Sequence, residues 1–194
     1  MPGAIFKWVG PLFDESSRRW NHDDVLSITK KLESFVSPEG RVLDLGGGTG
    51  RLGGLLATAL RCDVTVFDSD PQMLRHAESL PRVSTQLCDA SKLPFEDGAF
   101  DAVVVVDALH RFGHQKETLQ EAARVLKQSG GVLVAESDPR TRSVWATGLI
   151  ERVLGGSGSF ISPPDLVRMF SDVGIVGSAE QQDTMSYVFV GTHS

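Results

Sequence analysis

The run Val42-Leu43-Asp44-Leu45-Gly46-Gly47-Gly48-Thr49-Gly50-Arg51-Leu52-Gly53-Gly54 constrains the fold more than any other stretch of the chain. A short apolar segment enters six glycines between Gly46 and Gly54, and an apolar helical spacing follows at Leu52, Leu55, Leu56 and Leu60. Each glycine inside regular structure costs about 0.5–1 kcal/mol of chain entropy. Such a density needs a reason, and close backbone approach to a ligand at the positive end of a helix supplies one. In an open α/β sheet, ligands sit outside the carboxyl ends of strands near such a turn.

The rest of the chain repeats the strand-then-helix rhythm. Asp63–Phe67 is β-branched and strand-like, and Pro71 opens a helix through Leu80, since a missing N–H costs nothing in a first turn. Arg82–Leu87 is a third strand, and Ala102–Val106 (AVVVV) is an apolar run of the kind that parallel sheets cover on both faces. Glu117–Lys127 follows as a helix, ended by Gly130-Gly131 before the strand Val132–Ala135. Pro163-Pro164 opens a helix through Phe170. Gly174–Ala179 and Met185–Val190 are two more strands, too close in sequence for a parallel crossover, so they pair antiparallel. The expectation is an α/β, doubly wound Rossmann-like sheet: five parallel strands plus an antiparallel C-terminal strand pair.

With 194 residues, one domain is expected overall. Within it, residues 41–194 form the core and residues 1–40 a helical segment. That segment has Trp8, Phe13 and Trp20, then an amphipathic spacing from Val25 to Val36 stopped at Ser37-Pro38-Glu39-Gly40.

Composition excludes several classes. A net charge of -6 lacks the basic footprint of phosphate-backbone binding, so nucleic acid is not the expected partner. No apolar stretch reaches the roughly 18–20 residues of a membrane helix, and Pro, Lys and Gly interrupt the N-terminal apolar run, unlike a signal peptide. Cys62 and Cys88 lack CxxC spacing, and a reduced cytoplasmic compartment follows as the default. His110 and His114 are four apart, but Gly113 lies between them and no third ligand is apparent, so no metal is expected.

Two fingerprints overlap in the glycine loop. Gly48-Thr49-Gly50-Arg51-Leu52-Gly53 satisfies GxGxxG, and Asp68 follows Gly48 by the spacing of a dinucleotide ribose acid, the pattern of an NAD-dependent oxidoreductase. Asp44-Leu45-Gly46-Gly47-Gly48-Thr49-Gly50 satisfies DxGxGxG, with an acid at the strand's end. That acid would repel a pyrophosphate but suits a ligand carrying a positive group. A dinucleotide loop should also begin at Gly46, where the third glycine position falls on Arg51.

VLDLGGGTGRL, FDSDPQML, LCDASKLPFEDGAFD, VVVVDALHRF and ARVLKQSGGVLVAE resemble, in order, successive motifs of class I S-adenosylmethionine (SAM) dependent methyltransferases. The likeness is strongest to the ubiquinone and menaquinone type that acts on small molecules. FISPPDLVRMFSDVGI resembles the helix and strand that follow them. The resemblance implies methyl transfer from SAM to a small-molecule acceptor, leaving S-adenosylhomocysteine. Asp44, Gly46, Gly48 and Gly50 would hold the methionine end and Asp68 the ribose, with Ser69 also at the cofactor. Met73 would pack on the adenine face, with Asp89 and the Ala90 N–H on the adenine edge. The N-terminal segment would close over the cofactor and shape the acceptor pocket.

Methyl transfer would take place where Asp107-Ala108-Leu109-His110 leaves the fourth strand. A tetrad of Asn or Asp, two prolines and an aromatic, which grips a nucleobase amino group, is absent there. His110, whose ordinary pKa of about 6.5 suits neutral pH, and Asp107 are the candidate bases. A non-catalytic SAM-binding domain is the third reading.

Overall fold

The computed structural model describes residues 22–142, 144–145 and 159–194. Trp8, Phe13 and Trp20, and most of the stretch between the fifth strand and the last helix, lie outside them.

Helix α1 (His22–Leu32) precedes β1 (Arg41–Leu45), α2 (Arg51–Leu60), β2 (Asp63–Asp68), α3 (Pro71–Ala77) and β3 (Val83–Leu87). Then come β4 (Phe100–Val106), a 3-10 turn at Leu109–Arg111, α4 (Gln115–Val125), β5 (Leu126–Ser137), α5 (Pro163–Ser171), β6 (Ile175–Gln181) and β7 (Ser186–His193). One sheet of seven strands results, in the order β3-β2-β1-β4-β5-β7-β6. Strands β3, β2, β1, β4 and β5 are mutually parallel. The C-terminal pair is antiparallel, as its short connection predicts. Since β7 also opposes β5, β7 alone runs against the other strands described.

Alternation along the strands sends side chains to two covered faces, so the strands read as continuous apolar runs. Leu43, Leu45, Val103, Val105 and Val134 pack with Leu119, Leu166 and Phe170 of α4 and α5. Val42, Val64, Val66, Val104 and Leu133 pack with Ile28, Leu32, Leu56 and Leu74 of α1, α2 and α3. Asp44 shares a face with Val42, which puts a carboxylate under α2.

Two element ends differ from the sequence expectation for packing reasons. Helix α3 stops at Ala77 and turns, so that Leu80 packs beside Gly50 and Gly54. Helix α4 stops at Val125, and Gly130 and Gly131 lie within β5 rather than ending the helix. A Cβ on Gly131 would fall 2.4 Å from Phe35, so that glycine makes room for the ring that follows α1.

The chain leaves β1 toward β2 and β3, then returns to lay β4 on the other side of β1. That reversal opens a crevice at the strands' carboxyl ends, and the functional candidates gather there.

Candidate cofactor and acceptor site

A cleft of about 780 Å³ opens above β1, β2 and β4, bordered by Asp44, Gly46–Gly48, Asp68–Asp70, Met73, Cys88–Ala90 and Asp107. It therefore gathers Asp44, Gly46, Gly48, Asp68, Ser69, Met73, Asp89, Ala90 and Asp107 of the sequence expectation around one space. Gly50 stands just behind it as the N-cap of α2, and His110 is 4 % exposed and does not border it.

The loop is fixed from below. Gly46 and Gly47 both donate to the Phe67 carbonyl, at 2.8 and 3.1 Å, which ties the loop to the end of β2. Gly46 has φ +80, and a Cβ there would lie 2.5 Å from the Ala108 methyl and 3.0 Å from Phe112. Its glycine lets the loops after β1 and β4 touch. Gly48 differs: with φ +55 it needs glycine for its backbone, yet only Asp68 comes within 4 Å of the Cβ position, at 3.9 Å. The open space above Gly48 belongs to the cleft.

Asp68 joins this loop to the next. Its Oδ2 accepts from the Gly48 N–H at 3.0 Å and its Oδ1 from the Asp70 N–H at 2.8 Å. Asp70, followed by Pro71, caps α3 by accepting from Gln72 N–H at 2.8 Å. With the cap supplied by Asp70, Asp68 is left at the cleft. A carboxylate has about four lone-pair sites, so two hydrogen bonds still leave room for a diol. Asp89, exposed at the rim, accepts from both the N–H and the hydroxyl of Ser91 through Oδ1, each at 2.8 Å. The Ser91 N–H holds the Asp89 carboxyl below its ordinary pKa, so it stays an acceptor.

Asp44 is the electrostatic anomaly. It is 1 % exposed, and its Oδ2 accepts no hydrogen bond. Gly47 and Gly53 crowd it so closely that a Cβ on either would lie 2.5 or 3.2 Å from that oxygen. Burial pushes its pKa up to about 7; the Gly53 N–H offsets part of this and the charge of Asp68 adds to it. A buried carboxylate oxygen without a donor costs free energy that a cationic or N–H-bearing ligand would recover.

Sequence reasoning missed Glu136, at the end of β5, although it stands inside the motif VLVAE. Glu136 is 2 % exposed and pairs with His110 at 2.9 Å. Among the described residues, Asp107, His110 and Glu136 bring His and carboxylate ligand atoms within 4.8 Å of one another. Both imidazole nitrogens are engaged within the protein, by Glu136 and by Arg111. Asp107 itself has φ +51, a left-handed backbone that turns it off the end of β4.

A seven-stranded sheet ending in an antiparallel pair, with an acid ahead of the glycines, agrees with the methyltransferase resemblance better than with a dinucleotide domain. Residues 42–130 match the family described as a methyltransferase domain. The chain is 38 % identical over 106 residues to a demethylmenaquinone methyltransferase from Thermotoga maritima. It is 37 % identical over 116 residues to a ubiquinone/menaquinone biosynthesis C-methyltransferase from Burkholderia mallei. Each match covers 54 % of this chain and 46 % of the relative, so the chain spans about half the length of these curated relatives. A solved SAM-dependent methyltransferase from Thermotoga maritima superposes over 98 % of this chain and 99 % of its own, with a TM-score of 0.72 and 20 % identity, and shares the fold. The chain is thus similar in sequence to methyltransferases over residues 42–130 and shares the fold of a solved SAM-dependent methyltransferase.

Proposed function

We propose that this chain transfers a methyl group from SAM to a small-molecule acceptor bound in the same cleft. The observation that carries the reading is Asp44 Oδ2, buried without a hydrogen-bond donor at the edge of the cleft. The ammonium of a methionine moiety would satisfy it; a pyrophosphate would be repelled by it. When bound, SAM supplies an already activated methyl group on a sulfonium, so positioning and alignment are the protein's main contribution.

Each residue then has a defined task. Gly46, Gly48 and Gly50 shape the loop around the methionine end, with Gly48 leaving the space above it open. Asp68 accepts from the ribose hydroxyls while keeping the loop clamped. Ser69 borders the ribose, Met73 covers the adenine face, and Asp89 and Ala90 meet its edge. Asp107, at the carboxyl end of β4, faces the acceptor.

The acceptor side is bounded by Val25 and Ile28 of α1, Leu52 and Leu55 of α2, and Phe112. These apolar walls suit an acceptor with an apolar body, and the relatives' names suggest a quinone-like ring. Helix α1 thereby contributes one wall of the acceptor pocket.

Calorimetric titration with SAM, S-adenosylhomocysteine and NAD tests the cofactor. Binding of the two adenosyl-sulfur ligands without NAD is expected; tight NAD binding alone overturns the reading. Methyl-labelled SAM with reduced demethylmenaquinone then tests transfer to a ring carbon.

A further inference from the structure

Glu136, His110 and Arg111 form a hydrogen-bonded line from the core to the cleft. Glu136 Oε2 lies 2.9 Å from His110 Nδ1, and Oε1 accepts from the His110 backbone N–H at 3.3 Å. At the other edge of the ring, Arg111 Nε donates to His110 Nε2 at 3.3 Å. A guanidinium has donors and no acceptor. Nε2 is therefore bare, and Nδ1 carries the hydrogen that it gives to Glu136. A neutral imidazole thus bridges a buried carboxylate and an exposed cation.

The ring is also held in its plane. It stacks on Phe160 with centroids 4.4 Å apart and 18° between planes. The segment carrying Phe160 is fixed on both sides: Gln115 Nε2 donates to the Ser159 carbonyl at 2.7 Å, and the Tyr187 hydroxyl donates to the Ile161 carbonyl at 2.9 Å. Gln115 also donates to the Leu109 carbonyl at 2.9 Å, which fastens the turn bearing His110. Of the three residues in the line, Arg111 alone borders the cleft, beside Asp107. Burying Glu136 is costly, and its line of bonds reaches a guanidinium in the wall of the pocket.

We propose that Glu136 and His110 are positioning residues that aim Arg111 across the cleft wall, where its guanidinium binds an anionic oxygen of the acceptor. This rests on the reading of the chain as a methyltransferase. A planar guanidinium is well suited to an oxyanion, and an electron-rich acceptor is the form that attacks a methyl group. His110 then acts through Arg111 and does not itself take the acceptor's proton.

The groups facing the imidazole are Glu136 from β5, Asp107 from the end of β4 and Arg111 from the turn; Phe160 is uncharged. Burial lowers the pKa of His110, but the hydrogen bond and charge of Glu136 and the charge of Asp107 raise it above its ordinary value, against Arg111. Protonation at Nε2 would expel the Arg111 N–H, so the line holds on the alkaline side of that titration and opens on the acid side.

Two measurements on the full chain test this. The first is a nitrogen NMR titration of the His110 ring. The Nδ1–H tautomer is expected in the wild type at alkaline pH, with the titration moved upward by Arg111→Ala and downward by Glu136→Gln. Arg111 is exposed, so its variant should fold even if Glu136→Gln does not. An Nε2–H tautomer, or a titration that Arg111→Ala leaves in place, overturns the relay. The second is a kinetic cycle with labelled SAM and reduced demethylmenaquinone. Arg111→Ala should lower kcat/KM at least tenfold with less than a twofold change in SAM affinity, and His110→Gln should add nothing in the Arg111→Ala background. Losses that multiply, or an Arg111→Ala variant as active as wild type, overturn it. A wild type that binds SAM but does not methylate this quinol overturns the acceptor suggested above, and the ring titration then decides the relay alone. A wild type that does not bind SAM overturns the methyltransferase reading itself.

Discussion

The Gly48 backbone N–H and the Asp68 carboxylate meet at 3.0 Å, so the glycine loop after β1 and the acid ending β2 form one unit. The same carboxylate receives the Asp70 N–H at 2.8 Å, just before the cap of α3. Asp68 thus organises two loops and faces the cleft with its remaining lone pairs.

Replacing Asp68 by Ala should therefore weaken binding of the cofactor. Hydrogen bonds to a charged group contribute about 1.5–3 kcal/mol each, so S-adenosylhomocysteine affinity should fall roughly 10–100-fold or more by that measure. Asp68→Asn, which keeps an acceptor, should recover part of the loss. Calorimetry on both variants checks this; an Asp68→Ala protein that binds as wild type contradicts the ribose assignment.

Gly46 and Gly48 should separate stability from binding. At Gly46 an alanine methyl would overlap Ala108 and press on Phe112, in addition to the backbone strain at φ +80. Gly46→Ala should destabilise by roughly 2–4 kcal/mol, combining overpacking with left-handed strain. At Gly48 the Cβ would enter open space, so Gly48→Ala carries only the backbone cost, about 1–2 kcal/mol. Its methyl would project into the cleft, and SAM affinity should drop more than stability does. Thermal melts with and without S-adenosylhomocysteine give both numbers.

Tyr187 is fully buried in β7, and its hydroxyl donates to the Ile161 carbonyl at 2.9 Å. Tyr187→Phe keeps the ring but leaves that carbonyl without this donor, which should cost about 1–2 kcal/mol. Because Phe160 stacks on His110 one residue earlier, the variant should also loosen the stack. A melt reads the first effect, and the linewidth of the His110 ring signals reads the second.

Much of the fold was legible because strand and helix each carry a local signature. Ala102–Val106, rich in valine, has the pattern of a doubly covered strand, and Pro71 after Asp70 announces a capped first turn. The roles of single glycines were legible less evenly. Gly46 and Gly48 look alike in sequence, yet the space at one is filled by Ala108 from the loop after β4 and the other is open, a distinction set by a residue about sixty positions away. The same holds for Glu136. A glutamate ending an apolar strand has no local signal of burial; the His110 ring that pairs with it comes from a neighbouring strand's loop. Gly131 sits where a helix stop is expected, and nothing local marks its close contact with Phe35, which lies far earlier in the sequence.

Asp44 gives the sharpest dependence on pH. Its pKa is 3.8 in its ordinary state and about 7 in the folded, ligand-free protein. Between those values the folded state holds a proton that the unfolded chain has lost, so stability must fall as pH rises from about 4 to about 7 and level off above. At about 1.4 kcal/mol per pH unit, the full penalty above pH 7 is about 4 kcal/mol. Asp44→Asn removes the charge. Its ligand-free form should melt higher than wild type at pH 8, by roughly 10 °C at 2–4 °C per kcal/mol for a chain of this size, and the two curves should converge only below about pH 4. Saturating SAM should reverse the order at pH 8, because an ammonium beside Asp44 favours the carboxylate. For the same reason SAM binding near pH 6 should release a proton, and affinity should weaken up to tenfold per unit as pH falls below 7. Titrations in two buffers of different ionisation enthalpy count that proton. A release that persists in Asp44→Asn would assign it to another group and remove Asp44 from the binding site.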